Sequence, residues 1–305
     1  MDVDWKPELP EPPRLFSHSP FFVLSVQLLA CLTLGGVGTL LYLALAAGLG
    51  WDTQLIEVGL SADAPVEARW QMRAFLALSH LLTFVAAGWV VVYLFYPPAS
   101  RALAYLQMRR LPQARVVWGG IGLTLLAAPL VLYLYQLNRA LPLPDSLRFA
   151  EEQASEMLKG LLKMNNGREF VANLVLIALL PAVGEEMVFR GVVQQQLLRL
   201  VRMPWLAILL GAAIFSLVHF QFEGFFPRLL LGVILGWLYW RFQNLWVPVA
   251  AHFANNGVQV FAQYLYHRQL SSVNLEDDLS VPAYSAALSA AAVLALASWL
   301  HRQYH

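Results

Sequence analysis

Charge is scarce in this chain. Of its 305 residues only 13% are Asp, Glu, Lys or Arg, while 59% are apolar. A soluble domain carries about a quarter charged residues to cover its surface. Lipid removes that need, so the composition excludes a soluble globular protein and points to a membrane protein. Cysteine is nearly absent as well. The single Cys31 lies inside an apolar run, which rules out a disulfide framework within the chain and a cysteine-based metal site. Cys31 reads as a small packing residue. A net charge of +1 leaves no basic excess for nucleic acid. There is no internal repeat and no low-complexity tract. Three protease signatures are also missing: His-Glu-x-x-His, Gly-x-Ser-x-Gly and Gly-x-Gly-Asp.

What the chain has is long apolar runs. A hydrocarbon core about 30 Å thick needs a helix of about 20 residues. Runs near that length occupy 20–50, 72–96, 116–137, 170–200, 204–220, 227–242, 245–266 and 281–300. They predict an all-α polytopic bundle of about eight transmembrane helices, because backbone in lipid must satisfy its hydrogen bonds internally. Residues 1–19 are polar and proline-rich, and 20–305 form a single membrane domain with no soluble domain attached. The first run is too long for the apolar part of a cleaved signal and reads as a retained span.

The connecting segments differ in charge. Arg101, Arg109, Arg110 and Arg115 lie between the second and third runs without an acid. The 51–71 segment instead carries Asp52, Glu57, Asp63 and Glu67 against Arg69. The positive-inside rule then makes both termini cytoplasmic. Residues 145–164 have apolar positions at helical spacing, from Leu147 and Ala150 to Leu161 and Leu162. Two prolines precede them and Asn165-Asn166-Gly167 follows. This segment reads as an amphipathic connector in the membrane interface.

Ionisable groups inside lipid are costly and mark functional sites by default. They concentrate in three runs. The fourth contains Glu185, Glu186 and Arg190; the fifth ends with Phe215 and His219; the seventh carries His252 and Asn256. Residues four apart share a helix face, so Glu186 and Arg190 are set to form an ion pair. His252 and Asn256 point the same way, as do Phe215 and His219. Glu185 is left without a local counter-charge, free to face histidines from other helices. Such a set suits hydrolysis, with Glu185 accepting a proton from water and an amide or imidazole donating to an oxyanion. Glu185, His219 and His252 are equally a two-histidine, one-carboxylate set for zinc. Isolated His80 in the second run reads as packing, and Gly232 with Gly236 as a helix-packing step.

In order, Glu185-Glu186-x-x-x-Arg190, Phe215-x-x-x-His219 and His252-x-x-x-Asn256 resemble the motifs of the CPBP family of CAAX proteases and bacteriocin-processing enzymes. That family includes the type II CAAX prenyl endopeptidases. The resemblance covers about 170–266. It implies an eight-helix bundle with a cavity open to the cytoplasm and an intramembrane endopeptidase acting on membrane-bound or lipidated, CAAX-type substrates. By the same resemblance Glu185 and His219 match the water-activating residues, His252 and Asn256 the oxyanion-stabilising pair, and Glu186 and Arg190 supporting positions. It favours a glutamate mechanism with no cofactor over zinc chemistry. A bacterial inner membrane is the expected location. Two rivals remain: an ion-coupled transporter using Glu185 and the histidines as a proton relay, and a non-catalytic immunity or scaffold protein. The expected topology also places Glu185 nearer the cytoplasm and His219 nearer the outside, so their meeting requires a long fourth helix.

Overall fold

The computed structural model describes residues 19–272, 274 and 280–303. The polar N-terminal segment expected on the cytoplasmic side lies, but for residue 19, outside the described residues. Helices occupy all eight apolar runs, and the architecture is all-α. In chain order they are α1 (Pro20–Leu49), α2 (Val66–Phe95), α3 (Ala114–Arg139), α4 (Asp145–Leu162), α5 (Gly167–Val201), α6 (Pro204–Leu217), α7 (Phe225–Phe242), α8 (Trp246–His267) and α9 (Ala283–Gln303). Two short helices, Leu55–Val58 and Ala99–Tyr105, sit in the connections. Six of these, α1, α2, α3, α5, α7 and α9, are long and apolar enough to cross a membrane, and the chain is an integral multi-pass membrane protein.

The two remaining runs differ from ordinary spans for separate reasons. α6 is apolar but only 14 residues long. α8 has 22 residues, and its polar row of His252, Asn255, Asn256, Gln259 and Gln263 lowers its hydropathy. α6 packs on α7 with one face and leaves Trp205, Leu209 and Leu217 exposed on the other, whereas α8 lies against α3, α5 and α7. Half of the most apolar window of α5 is buried, against 11% for α1. α5 is therefore the central element and α1 a peripheral one, packed on α2.

Several local features explain how α5 holds its course. Asn166 caps it, its Oδ1 accepting from the amides of Arg168 (2.9 Å) and Glu169 (3.1 Å). The Asn-Asn-Gly punctuation thus opens α5 as well as closing α4. Pro181 cannot donate to the carbonyl four residues back, and the turn before it widens into a π-helical stretch at Leu174–Leu179. The helix nevertheless continues through the proline to Val201, which is the long fourth helix that the motif positions require. Gly184 allows close approach: a Cβ there would stand 2.8 Å from the Phe84 Cβ and 3.2 Å from the Val85 amide nitrogen. The contact falls on a second π-helical stretch, Leu81–Ala86 of α2.

Gly232 and Gly236 of α7 bring it against α6, where added Cβ atoms would meet Ala212 at 2.9 Å and Ile208 at 3.1 Å. Helix α2 starts six residues earlier than its apolar run predicts, because its first turns are neutralised from α5. Arg69 pairs with Glu169 at 3.1 Å and Arg73 approaches the same carboxylate at 3.7 Å, all three being buried. Arg73 also donates to Asn173 Oδ1 (2.8 Å) and to the Leu161 carbonyl (2.9 Å), fastening the end of α4. Arg69, counted above with the connecting loop, is therefore an interhelical tie. Toward the N-terminal end of α4, Leu147 and Phe149 remain exposed, as an amphipathic connector predicts.

Candidate active site

The motif residues come from three elements, α5, the end of α6, and α8. Glu185 and Glu186 lie in the middle of α5 and both are buried. Adjacent residues on a helix point about 100° apart, and the two carboxylates accordingly have different neighbours. Glu186 is fully enclosed. Arg190, one turn on, donates to its Oε1 at 2.8 Å. The same guanidinium donates to the Gly232 carbonyl at 3.1 Å and lies over the Phe215 ring, 4.7 Å from its centroid. A buried charge is retained at tolerable cost only with such pairing.

His252 reaches the pair from α8. Its Nδ1 is 2.9 Å from Glu186 Oε1. A carboxylate only accepts, so Nδ1 carries the proton and Nε2 is left with a lone pair in the neutral ring. That Nε2 lies 4.0 Å from Glu185 Oε2. The gap is too long for a hydrogen bond and of the size that one bridging water fills. Sequence spacing gave Glu186 a single partner, Arg190, and left the histidines to Glu185. In the fold His252 bonds to Glu186 and only faces Glu185.

His219 follows the last turn of α6. Its Nδ1 bonds the Phe215 carbonyl at 2.8 Å, and its ring meets the Phe215 ring edge-on at 5.2 Å. Phe215 also touches the His252 ring at 6.1 Å, so one phenyl ring spaces both imidazoles and the Arg190 guanidinium. Asn256 lies one turn beyond His252. Its amide nitrogen donates to the Ile177 carbonyl at 3.0 Å, the carbonyl that Pro181 leaves without its helical donor. Its Oδ1 accepts from Asn255 at 3.0 Å. One amide hydrogen of Asn256 remains for other use.

The structure therefore brings Glu185, Glu186, Arg190 and His252 into one buried cluster, with His219 and Asn256 fixed on its edges by backbone carbonyls. Among the described residues no group of three or more His, Cys, Asp or Glu side chains is disposed to hold a metal ion. Glu185, His219 and His252 do not converge into the ligand set that their types suggest. His80, assigned to packing from the sequence, packs its ring on Phe84. The rings lie 4.6 Å apart, the Leu180 carbonyl is beside the imidazole, and His219 and His252 are within electrostatic reach.

Residues 167–258 match the family described as Type II CAAX prenyl endopeptidase Rce1-like. The matched segment begins with α5, ends inside α8 and contains all six motif residues. No curated protein and no solved structure matches the chain.

Proposed function

We propose that the Rce1-like domain at 167–258 makes this chain an intramembrane endopeptidase, acting on membrane-associated substrates near a lipidated, CAAX-type C-terminus. The observation that carries the proposal is the buried Glu185 carboxylate facing His252 Nε2 across 4.0 Å, with the opposite ring nitrogen held by Glu186. A water in that gap donates one proton toward Glu185 and is oriented by His252. As Glu185 takes the proton, the water oxygen adds to the scissile carbonyl carbon. The oxyanion that forms is met by a donor, for which the remaining Asn256 amide hydrogen is suitably disposed. Glu185 then passes its proton to the departing amine nitrogen as the C–N bond breaks, leaving a carboxylate and an amine. Family resemblance gives His219 to the water and His252 to the oxyanion. The distances support the reverse emphasis, with His252 at the water and His219 at the rim.

Glu186 and Arg190 are positioning residues in this scheme. Their ion pair holds the carboxylate that fixes the tautomer and direction of His252. No step requires a metal. The charge asymmetry of the loops supports a cytoplasmic side for both termini and for the arginine-rich connection between α2 and α3.

The test is incubation of the purified chain in proteoliposomes with a farnesylated CAAX-type peptide and with the same peptide unmodified, products being read by mass spectrometry. Cleavage of the lipidated peptide at the modified cysteine is expected. A protein that binds the peptide and cleaves neither form refutes an endopeptidase and leaves the scaffold alternative standing.

A further inference from the structure

The arginines buried near the centre of this protein have carboxylate partners: Arg190 with Glu186, Arg69 and Arg73 with Glu169. Arg228 does not. It lies in the first turn of α7, a helix apolar enough to cross the membrane, and is partly buried. Its Nη1 donates to Gln221 Oε1 at 2.9 Å and its Nη2 to the Gln221 carbonyl. Its Nε is buried and has no hydrogen-bond partner. Among the described residues no carboxylate lies within ion-pair distance of it, although Glu185 and Glu151 are within electrostatic reach. His219 feels the same charge. Arg228 therefore lies within electrostatic reach of Glu185, with no carboxylate in ion-pair contact and three of its five N–H donors unused, Nε–H among them.

An unpaired guanidinium in an apolar helix is expensive, and breaking or omitting its partner costs more than a formed pair returns. The expense is explained if the partner arrives with the substrate. A peptide cut near its C-terminus brings one anion in every case, its terminal α-carboxylate, and a guanidinium fork matches a carboxylate in two parallel hydrogen bonds. A tail of three residues beyond the cleaved bond spans roughly 10 Å when extended, the scale on which charges on neighbouring helices interact. We propose that Arg228 is the specificity-determining residue that binds the C-terminal carboxylate of the substrate, measuring the cut from the chain end. The inference rests on the endopeptidase reading above and names which substrate ends that site accepts.

Gln221 fixes the fork. It belongs to the connection 218–224 that also carries His219, and this segment is tied to α3, where Asn138 donates to the Phe222 carbonyl and Tyr135 to Glu223 at 3.3 Å. Glu151 of α4 accepts from the Glu223 amide at 3.0 Å and acts on Arg228 only through space. Arg228 is thus held in place by Gln221 with no carboxylate in direct contact.

The experiment uses the full chain in one detergent and two farnesylated peptides, one ending in a free carboxylate and one amidated at the C-terminus. Wild type, R228Q and R228K are compared by kcat/KM, with melting temperatures to show that the variants are folded. Wild type should prefer the acid by about tenfold to a hundredfold, the scale of a charged hydrogen-bonded pair. In R228Q the acid-to-amide ratio should fall to near one, and R228K, which keeps the charge and loses the fork, should lie between. An R228Q that keeps the preference, or a wild type that cuts acid and amide alike, overturns the assignment and leaves the endopeptidase intact. A wild type that cuts neither peptide removes both. If R228Q does not fold, R228K with an undiminished ratio is the contradicting result.

Discussion

Replacing Glu186 by Gln tests what the ion pair contributes to the fold. The side chain is fully buried, accepts from Arg190 at 2.8 Å and from His252 at 2.9 Å, and Gln conserves its shape. An amide oxygen in the place of Oε1 still accepts from both Arg190 and His252, so packing and bond count change little. What disappears is the negative charge opposite Arg190. Arg190 keeps the Gly232 carbonyl and the Phe215 ring in both proteins, so neither contact enters the difference. Removing one partner of a buried pair costs about 3–5 kcal/mol, and the retained hydrogen bond argues for the lower end. Chains of moderate size lose about 2–4 °C per kcal/mol, which makes the expected fall in melting temperature on the order of 10 °C. The ten tryptophans allow the transition to be followed by intrinsic fluorescence in a single detergent. Adding Arg190→Met removes the orphaned cation, so the double variant should regain at least half of the loss. A Glu186→Gln protein that melts with wild type, or a double variant no more stable than the single one, refutes the account of this pair.

Asn256→Ala leaves the Ile177 carbonyl unsatisfied beside Pro181 and should cost about 1–3 kcal/mol in thermal stability; an unchanged melting temperature would show that the proline-freed carbonyl needs no donor. Turnover should persist after exhaustive chelation, since no three potential ligands converge among the described residues, and complete loss restored by stoichiometric zinc would reverse that expectation. A single cysteine replacing Arg109, in a Cys31→Ser background, should react with membrane-impermeant reagent only from the cytoplasmic side. Arg109 is exposed, whereas neighbouring Tyr105 is buried and unsuitable for labelling; labelling only from outside would invert the topology.

Much of the bundle was legible in the sequence, because apolar runs of spanning length leave the backbone no alternative to helix. The Glu186–Arg190 pair was legible for an equally local reason, the four-residue spacing. The need for a long fourth helix followed from placing Glu185 and His219 on opposite sides of the expected bundle. Nonlocal choices were not legible. Nothing in the spacing says that His252 bonds Glu186 in preference to Glu185, since both lie on α5 and only interhelical packing decides. The early start of α2 depends on Glu169, about 100 residues away from its arginine partners. Pro181 announces an orphan carbonyl at Ile177, yet the donor, Asn256, comes from a helix whose position the pattern does not give. Arg228 was passed over because no motif contains it and its missing partner is visible only in three dimensions.

The central claim is that Glu185 activates the attacking water. Its nearest basic contact, His252 Nε2, is 4.0 Å away, beyond hydrogen-bond distance, so Glu185→Gln breaks no bond that holds the helices together. Initial rates of cleavage of a farnesylated peptide should be measured for wild type and Glu185→Gln at equal folded concentration, with melting temperatures recorded alongside. The account predicts an unchanged melting temperature and a rate lowered by at least about 10²–10⁴-fold, because the amide cannot accept the proton of water. A folded Glu185→Gln protein that cleaves at near the wild-type rate would contradict it.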